Sequence, residues 1–164
     1  MENYHSKRIQ YFPLIISILI TLAIGIGASF FTRPEISGWF ATLKKPSFNP
    51  PNWIFAPVWT TLYILIGISA YLVWKLRDSS GTFKLTVTIY VVQLLLNFSW
   101  SLVFFRMHEL FGALIVIKLL WLTILANIIY FGKFSKPASW LMVPYLLWVS
   151  FATMLNFSIY LLNR

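Results

Sequence analysis

Residues 38–63 read GWFATLKKPSFNPPNWIFAPVWTTLY (Gly38–Tyr63) and join one long apolar segment to another. The stretch holds Pro46, Pro50, Pro51 and Pro57, with Trp39, Trp53 and Trp59, and Lys44 and Lys45 in its middle. A plain connector is short and polar; this one is long, stiff and aromatic. Its loop portion, Arg33 to Asn52, is 20 residues, and loops above about 12–15 residues are usually functional or disordered. Trp39, Phe40, Phe48 and Trp53 seek burial, which argues against disorder. Pro50 and Pro51 stiffen the backbone, and Pro57 suits the first turn of the next helix, where a missing N–H costs nothing. The stretch is therefore expected to be a lid and wall for a pocket between membrane helices.

Outward from it, the chain is 59% hydrophobic and only 10% charged, where a soluble domain carries about 25%. No charge falls between Arg8 and Arg33, Lys45 and Lys75, Lys84 and Arg106, or Lys136 and Arg164, and Lys118 alone interrupts the run from Glu109 to Lys133. Each run is long enough to cross about 30 Å of hydrocarbon as a helix. The pattern predicts an all-α membrane protein, one domain over 1–164, with five helices at about 12–32, 55–75, 84–105, 110–132 and 138–162. A soluble bundle would show a polar stripe on each helix, and these runs show none. The first run is longer than a signal-peptide core of about 7–15 residues and no small-residue cleavage site follows, so it is read as a span.

The net charge of +9 sits at helix ends, as lipid headgroup contacts do, so nucleic acid is not the expected partner. With five spans, Lys7, Arg8, Lys75, Arg77, Lys84, Lys133 and Lys136 share the N-terminal side, against Arg33, Lys44, Lys45, Arg106 and Arg164 on the other. That excess favours a cytoplasmic N-terminus, and the plasma membrane is the default host. Residues 1–11 read as a frayed or interfacial end. There is no cysteine, which removes disulfides, thiolate metal sites and cysteine nucleophiles.

Within the spans, small residues at i, i+4 in the first helix (Ala23 and Gly27, Gly25 and Ser29) allow close helix packing. Gln93, Asn97, Trp100 and Phe104 fall on one face of the third helix. Two amides in a span point inward, either to join helices by hydrogen bonds or to anchor a ligand. Lys118 either snorkels to the headgroups or meets an anionic ligand group. Pro144 is expected to bend the fifth helix, with Tyr145, Trp148, Ala152 and Asn156 on one face beyond it. The only acids, Glu2, Glu35, Asp78 and Glu109, and both histidines, His5 and His108, lie outside the spans. Carboxylate-pair catalysis, a histidine-ligated haem, an intrabundle metal site and carboxylate-driven ion transport therefore lack residues. An aromatic, nearly uncharged cavity with a few amides suits a flat apolar ligand.

Three collinear motifs carry a family resemblance. The segment Trp39–Trp53 (WFATLKKPSFNPPNW), followed by Pro57-Val-Trp59 and Leu62-Tyr63, resembles the translocator protein / tryptophan-rich sensory protein family (TspO/MBR, peripheral-type benzodiazepine receptor). So do Gln93-Leu-Leu-Leu-Asn97-Phe-Ser-Trp100-Ser with Phe104-Phe105, and Pro144-Tyr145 with Trp148 and Phe151-Ala152-Thr153. The resemblance implies five helices around a pocket closed by the first loop, and binding of porphyrins such as protoporphyrin IX, of cholesterol in animal members, and of isoquinoline carboxamides. It places the ligand contacts on Trp39, Asn49, Trp59, Tyr63, Asn97, Trp100, Phe104, Trp148 and Ala152. It further implies homodimers in many members and light-dependent porphyrin breakdown in some, with Trp59 and Trp148 at the positions of the implicated tryptophans.

The chain departs from the pattern at several points. Phe48 stands where members often have tryptophan, and Asn49 where animal members have histidine. Phe157 stands at the tyrosine of the animal cholesterol motif, with Tyr160 offering a shifted match. Lys118 lies near the position, close to Val116, of an animal aspartate, and no small-residue seam marks the third helix. The leading expectation is a tetrapyrrole-binding membrane protein acting in sensing or regulation, with no required cofactor. Lys44, Lys45 and Lys118 are the candidate contacts for ligand carboxylates. The alternatives are a photo-oxidative porphyrin-degrading enzyme and a porphyrin or sterol transporter. Expected partners are membrane lipid, a porphyrin or sterol-like molecule and a second copy of the chain.

Overall fold

The computed structural model describes residues 8–164; Glu2, His5 and Lys7, with the terminal segment they belong to, lie outside the described residues. Every regular element among the described residues is a helix. These are α1 (Tyr11–Ser37), α2 (Trp39–Thr42), α3 (Asn52–Lys75), α4 (Gly81–Ser101, running on through a wider turn at Leu102–Arg106), α5 (Leu110–Gly132), α6 (Lys136–Leu141) and α7 (Val143–Asn163). Five stretches are long and apolar enough to span a membrane: 11–37, 52–75, 81–106, 110–132 and 136–163. The protein is a five-span helical bundle.

Three local expectations are corrected. The first helix does not stop at residue 32. It continues through Pro34 to Ser37, and α2 follows at once, so the irregular loop shrinks to residues 43–51. The residue before a proline disfavours helix, but here the extra turn places Glu35 3.0 Å from His108 in the α4–α5 connection. Pro57 is the sixth residue of α3, not in its first turn. It removes a ladder bond there, and Thr60 and Thr61 donate to the Ala56 and Pro57 carbonyls, both at 2.9 Å. Pro144 does not bend a continuous helix. The chain breaks at Met142, and Pro144 sits in the first turn of α7, where its missing N–H is no loss.

Apolar surface alone does not drive helices together in lipid; close packing and interhelical hydrogen bonds do. α1 and α3 show both. A Cβ on Gly67 would lie 2.7 Å from the Ile18 Cα, and one on Gly25 would overlap the Tyr63 ring. Ser17 donates to the Gly67 carbonyl and Thr21 to the Tyr63 carbonyl, each at 2.7 Å. Ser69 donates to Ala138 O at 2.7 Å and fastens α3 to α6. α4 packs on α5, and α5 on α7. α3 and α7 barely touch, and the gap between them at the α2 end of the bundle is a cavity.

Candidate functional site

The cavity measures about 270 Å³ and is bounded by α1, α2, α3, α4 and α7. Its floor is a hydrogen-bonded row across three helices. The Tyr63 hydroxyl donates to Asn97 Oδ1 at 2.6 Å, Asn97 Nδ2 donates to the Tyr145 hydroxyl at 2.8 Å, and Gln93 Nε2 donates to the same oxygen at 2.9 Å. The helical spacing of Gln93 and Asn97 puts both amides on the inner face, where lipid cannot reach them. Asn97 joins the two tyrosines and also lines the cavity.

Aromatic rings make the walls. Trp59 stacks on Tyr63 with centroids 5.6 Å apart and meets Tyr145 edge-on at 6.2 Å. Trp100 stacks on Phe104 at 5.4 Å and donates from Nε1 to Asn156 Oδ1 at 3.0 Å. Trp148 meets Phe55 edge-on at 5.8 Å. Its Nε1 is buried without a hydrogen-bond partner among the described residues. Phe40 from α2 closes the top, against Phe104 and Phe105 at 6.1 and 5.8 Å. The widened turn at Leu102–Arg106, with Met107 N donating to Leu102 O at 3.0 Å, keeps both phenylalanines buried.

The side of the cavity is a cleft. α1 and α3 touch at Gly25 and Tyr63, and above that point exposed Ile26 and Arg33 on α1 face the cavity with exposed Ala56 and Thr60 on α3. Among the lining residues Arg33 is the one with a formal charge.

Of the expected contacts, Trp59, Tyr63, Asn97, Trp100, Phe104, Trp148 and Ala152 all line this cavity. Five others do not. Trp39 lies outside it, stacked 4.2 Å from the His108 ring; the next residue, Phe40, takes the inward place. Asn49 turns its Nδ2 to Pro50 O at 3.0 Å. The Lys44 backbone is clipped to Asn163, which accepts from Lys44 N at 2.9 Å and donates to Lys44 O at 2.8 Å. Lys45 donates to Leu43 O at 3.2 Å and lies 4.7 Å over the Phe40 ring. Lys118 is on the outward face of α5. The lysines therefore fasten the loop or face outward, and Arg33 is the cation at the cavity. Arg33 had a sequence signal: it continues the Gly25–Ser29 spacing by four more residues.

The TspO/MBR family model matches residues 17–162. The chain is 45% identical over 150 residues to the tryptophan-rich protein TspO of Archaeoglobus fulgidus, covering 92% of this chain and 96% of that one. It is 35% identical over 152 residues to the human translocator protein, covering 90% of each. It is 38% identical over 125 residues to the tryptophan-rich sensory protein of Cereibacter sphaeroides, covering 76% of this chain and 77% of the relative. With the five spans and the tryptophan-walled cavity, these matches establish that the chain belongs to the TspO/MBR family.

Proposed function

We propose that the protein binds a porphyrin of the protoporphyrin IX type in the α1–α3–α4–α7 cavity and acts in tetrapyrrole sensing or regulation. The observation that carries this reading is the cavity's make-up: Trp59, Trp100 and Trp148 around a floor in which Asn97 is bonded to Tyr63 and Tyr145, with Arg33 at an open cleft. Flat apolar rings are held by stacking, at about 1 kcal/mol per aromatic pair beyond burial. Arg33, at the open cleft, supplies a charge for a propionate. The cleft lets a ligand enter from the bilayer while its carboxylates stay at the headgroup level. The plasma membrane with a cytoplasmic N-terminus is the matching placement, from the larger number of basic residues on the N-terminal side.

The test is a fluorescence titration of the purified protein with protoporphyrin IX. Saturable tryptophan quenching is expected, weakened in a Trp59→Phe/Trp148→Phe double variant and in Ala152→Leu, which fills the cavity. Arg33→Gln should weaken binding of the dicarboxylic porphyrin and leave its neutral dimethyl ester unaffected. Absence of saturable quenching in the unmodified protein would overturn the proposal.

A further inference from the structure

A second concavity, of about 420 Å³, lies at the other end of the bundle. α1 and α4 converge where a Cβ on Gly27 would lie 3.2 Å from the Phe98 ring and where Phe31 meets Phe98 edge-on at 5.8 Å. Toward the α1 start they part, and α3 shows through between them as a floor of Ala70, Tyr71 and Trp74. Phe12 to Ile20 on one wall spans about 12 Å of helix. That is close to the depth of one leaflet's hydrocarbon, about 15 Å. The groove is therefore a furrow along one leaflet.

The mouth of the furrow is basic. Lys84 follows the wall residue Phe83. Arg77 lies 3.9 Å over the ring of the floor residue Trp74 and donates to its carbonyl. Lys75 reaches across to Arg8 O at 2.9 Å. Among the described residues the one acid at this end, Asp78, is engaged by Ser80. Inside, Ser17 and Thr86 spend their hydroxyls on Gly67 O and Thr82 O, each at 2.7 Å. Tyr90 differs: its hydroxyl has no hydrogen-bond partner among the described residues.

From this geometry we infer a lipid site: the furrow seats one acyl chain of an anionic phospholipid, with the phosphate at Lys84 and Arg77. The apolar walls match the chain, the basic mouth matches the headgroup, and the Tyr90 hydroxyl is a donor for a glycerol-ester carbonyl. A zwitterionic lipid would fit the walls equally but gain less at the mouth, so the site selects by charge. It shares no residue with the α1–α3–α4–α7 cavity, so it stands or falls apart from porphyrin binding.

The test uses the full chain in phosphatidylcholine nanodiscs carrying increasing phosphatidylglycerol with brominated acyl chains. The Trp74 contribution to quenching is read as the difference between the unmodified chain and Trp74→Phe. Saturation at a low mole fraction of the anionic lipid is expected, while brominated phosphatidylcholine quenches only in proportion to its abundance. Lys84→Gln should lower the preference for phosphatidylglycerol about fivefold. Val87→Phe, on an exposed furrow wall, should abolish the saturable component without charge loss and without adding a fluorophore that is read. Equal, unsaturated quenching by both lipids would overturn the inference in favour of bulk lipid. Loss of quenching by both, with a two-chain particle by mass, would overturn it in favour of a second copy of the chain on this face.

Discussion

Tyr63 and Asn97, 34 residues apart, meet in a 2.6 Å hydrogen bond that joins α3 to α4 beneath the cavity. Asn97 passes the connection to Tyr145 on α7. Asn97→Ala leaves two buried hydroxyls short of a partner. Membrane hydrogen bonds average about 0.6 kcal/mol with a maximum near 1.7, so the loss should be about 1–2 kcal/mol. Reversible denaturation in mixed micelles checks this; Tyr63→Phe, which deletes one bond, should cost less than Asn97→Ala.

Gly25 faces the Tyr63 ring so closely that any Cβ overlaps it. Because Asn97 pins that ring, Gly25→Ala should destabilise by about 1–3 kcal/mol, as overpacking does. Gly27→Ala is the comparison: its nearest neighbour, the Phe98 ring edge, is 3.2 Å away and needs only a small shift. Thermal unfolding of the two variants side by side should put Gly25→Ala well below Gly27→Ala; equal values would refute the close-approach argument.

His108 adopts a φ of 57°, a conformation that costs an L-residue about 1–2 kcal/mol and glycine almost nothing. It is held there by the Trp39 stack and by Glu35. Replacing it by alanine or by glycine removes both contacts. Despite glycine's greater freedom in the unfolded chain, His108→Gly should be the more stable by about 0.5–1 kcal/mol. An unfolding titration in which alanine equals or exceeds glycine would contradict the strained turn.

The Ser80 hydroxyl and then its backbone N–H hold the Asp78 carboxyl below its ordinary value. A depressed carboxylate stabilises the fold above its unfolded-state value, about 3.9, and the contribution disappears as pH falls through the lower folded value. Amide exchange at Ser80, which donates to Asp78 at 3.0 Å, should be pH-insensitive, after correction for intrinsic rates, from pH 8 to 5. It should rise below about pH 4. Asp78→Asn should flatten that rise.

The five spans were legible because apolar runs of membrane length, four free of charge and one broken only by Lys118, have a single physical reading. The inner faces of α4 and α7 were legible for a related reason: amides and tryptophans at helical spacing cannot face lipid. The first connection was harder. One-residue phase decides whether Trp39 or Phe40 points into the cavity, and α2 is a single turn whose rotation is set by contacts with Phe104 and His108, 64 and 69 residues away in the chain. What the sequence did not show for the loop lysines is set by chain conformation: the Lys44 backbone meets Asn163, and the Lys45 ammonium turns back to the Ala41 and Leu43 carbonyls. Arg33 was passed over because, as the charge that closes the first apolar run, it fell one residue beyond the expected helix end at 32.

The Lys44–Asn163 clip spans 119 residues. During synthesis, the residues that cover the cavity are therefore laid down early and fastened only when α7 has been made. A ribosome-bound chain stalled before Asn163 would already hold α1, α3 and α4 yet have an unfastened cover, so biogenesis passes through a stage in which the aromatic walls are open to the lipid and to the insertion machinery.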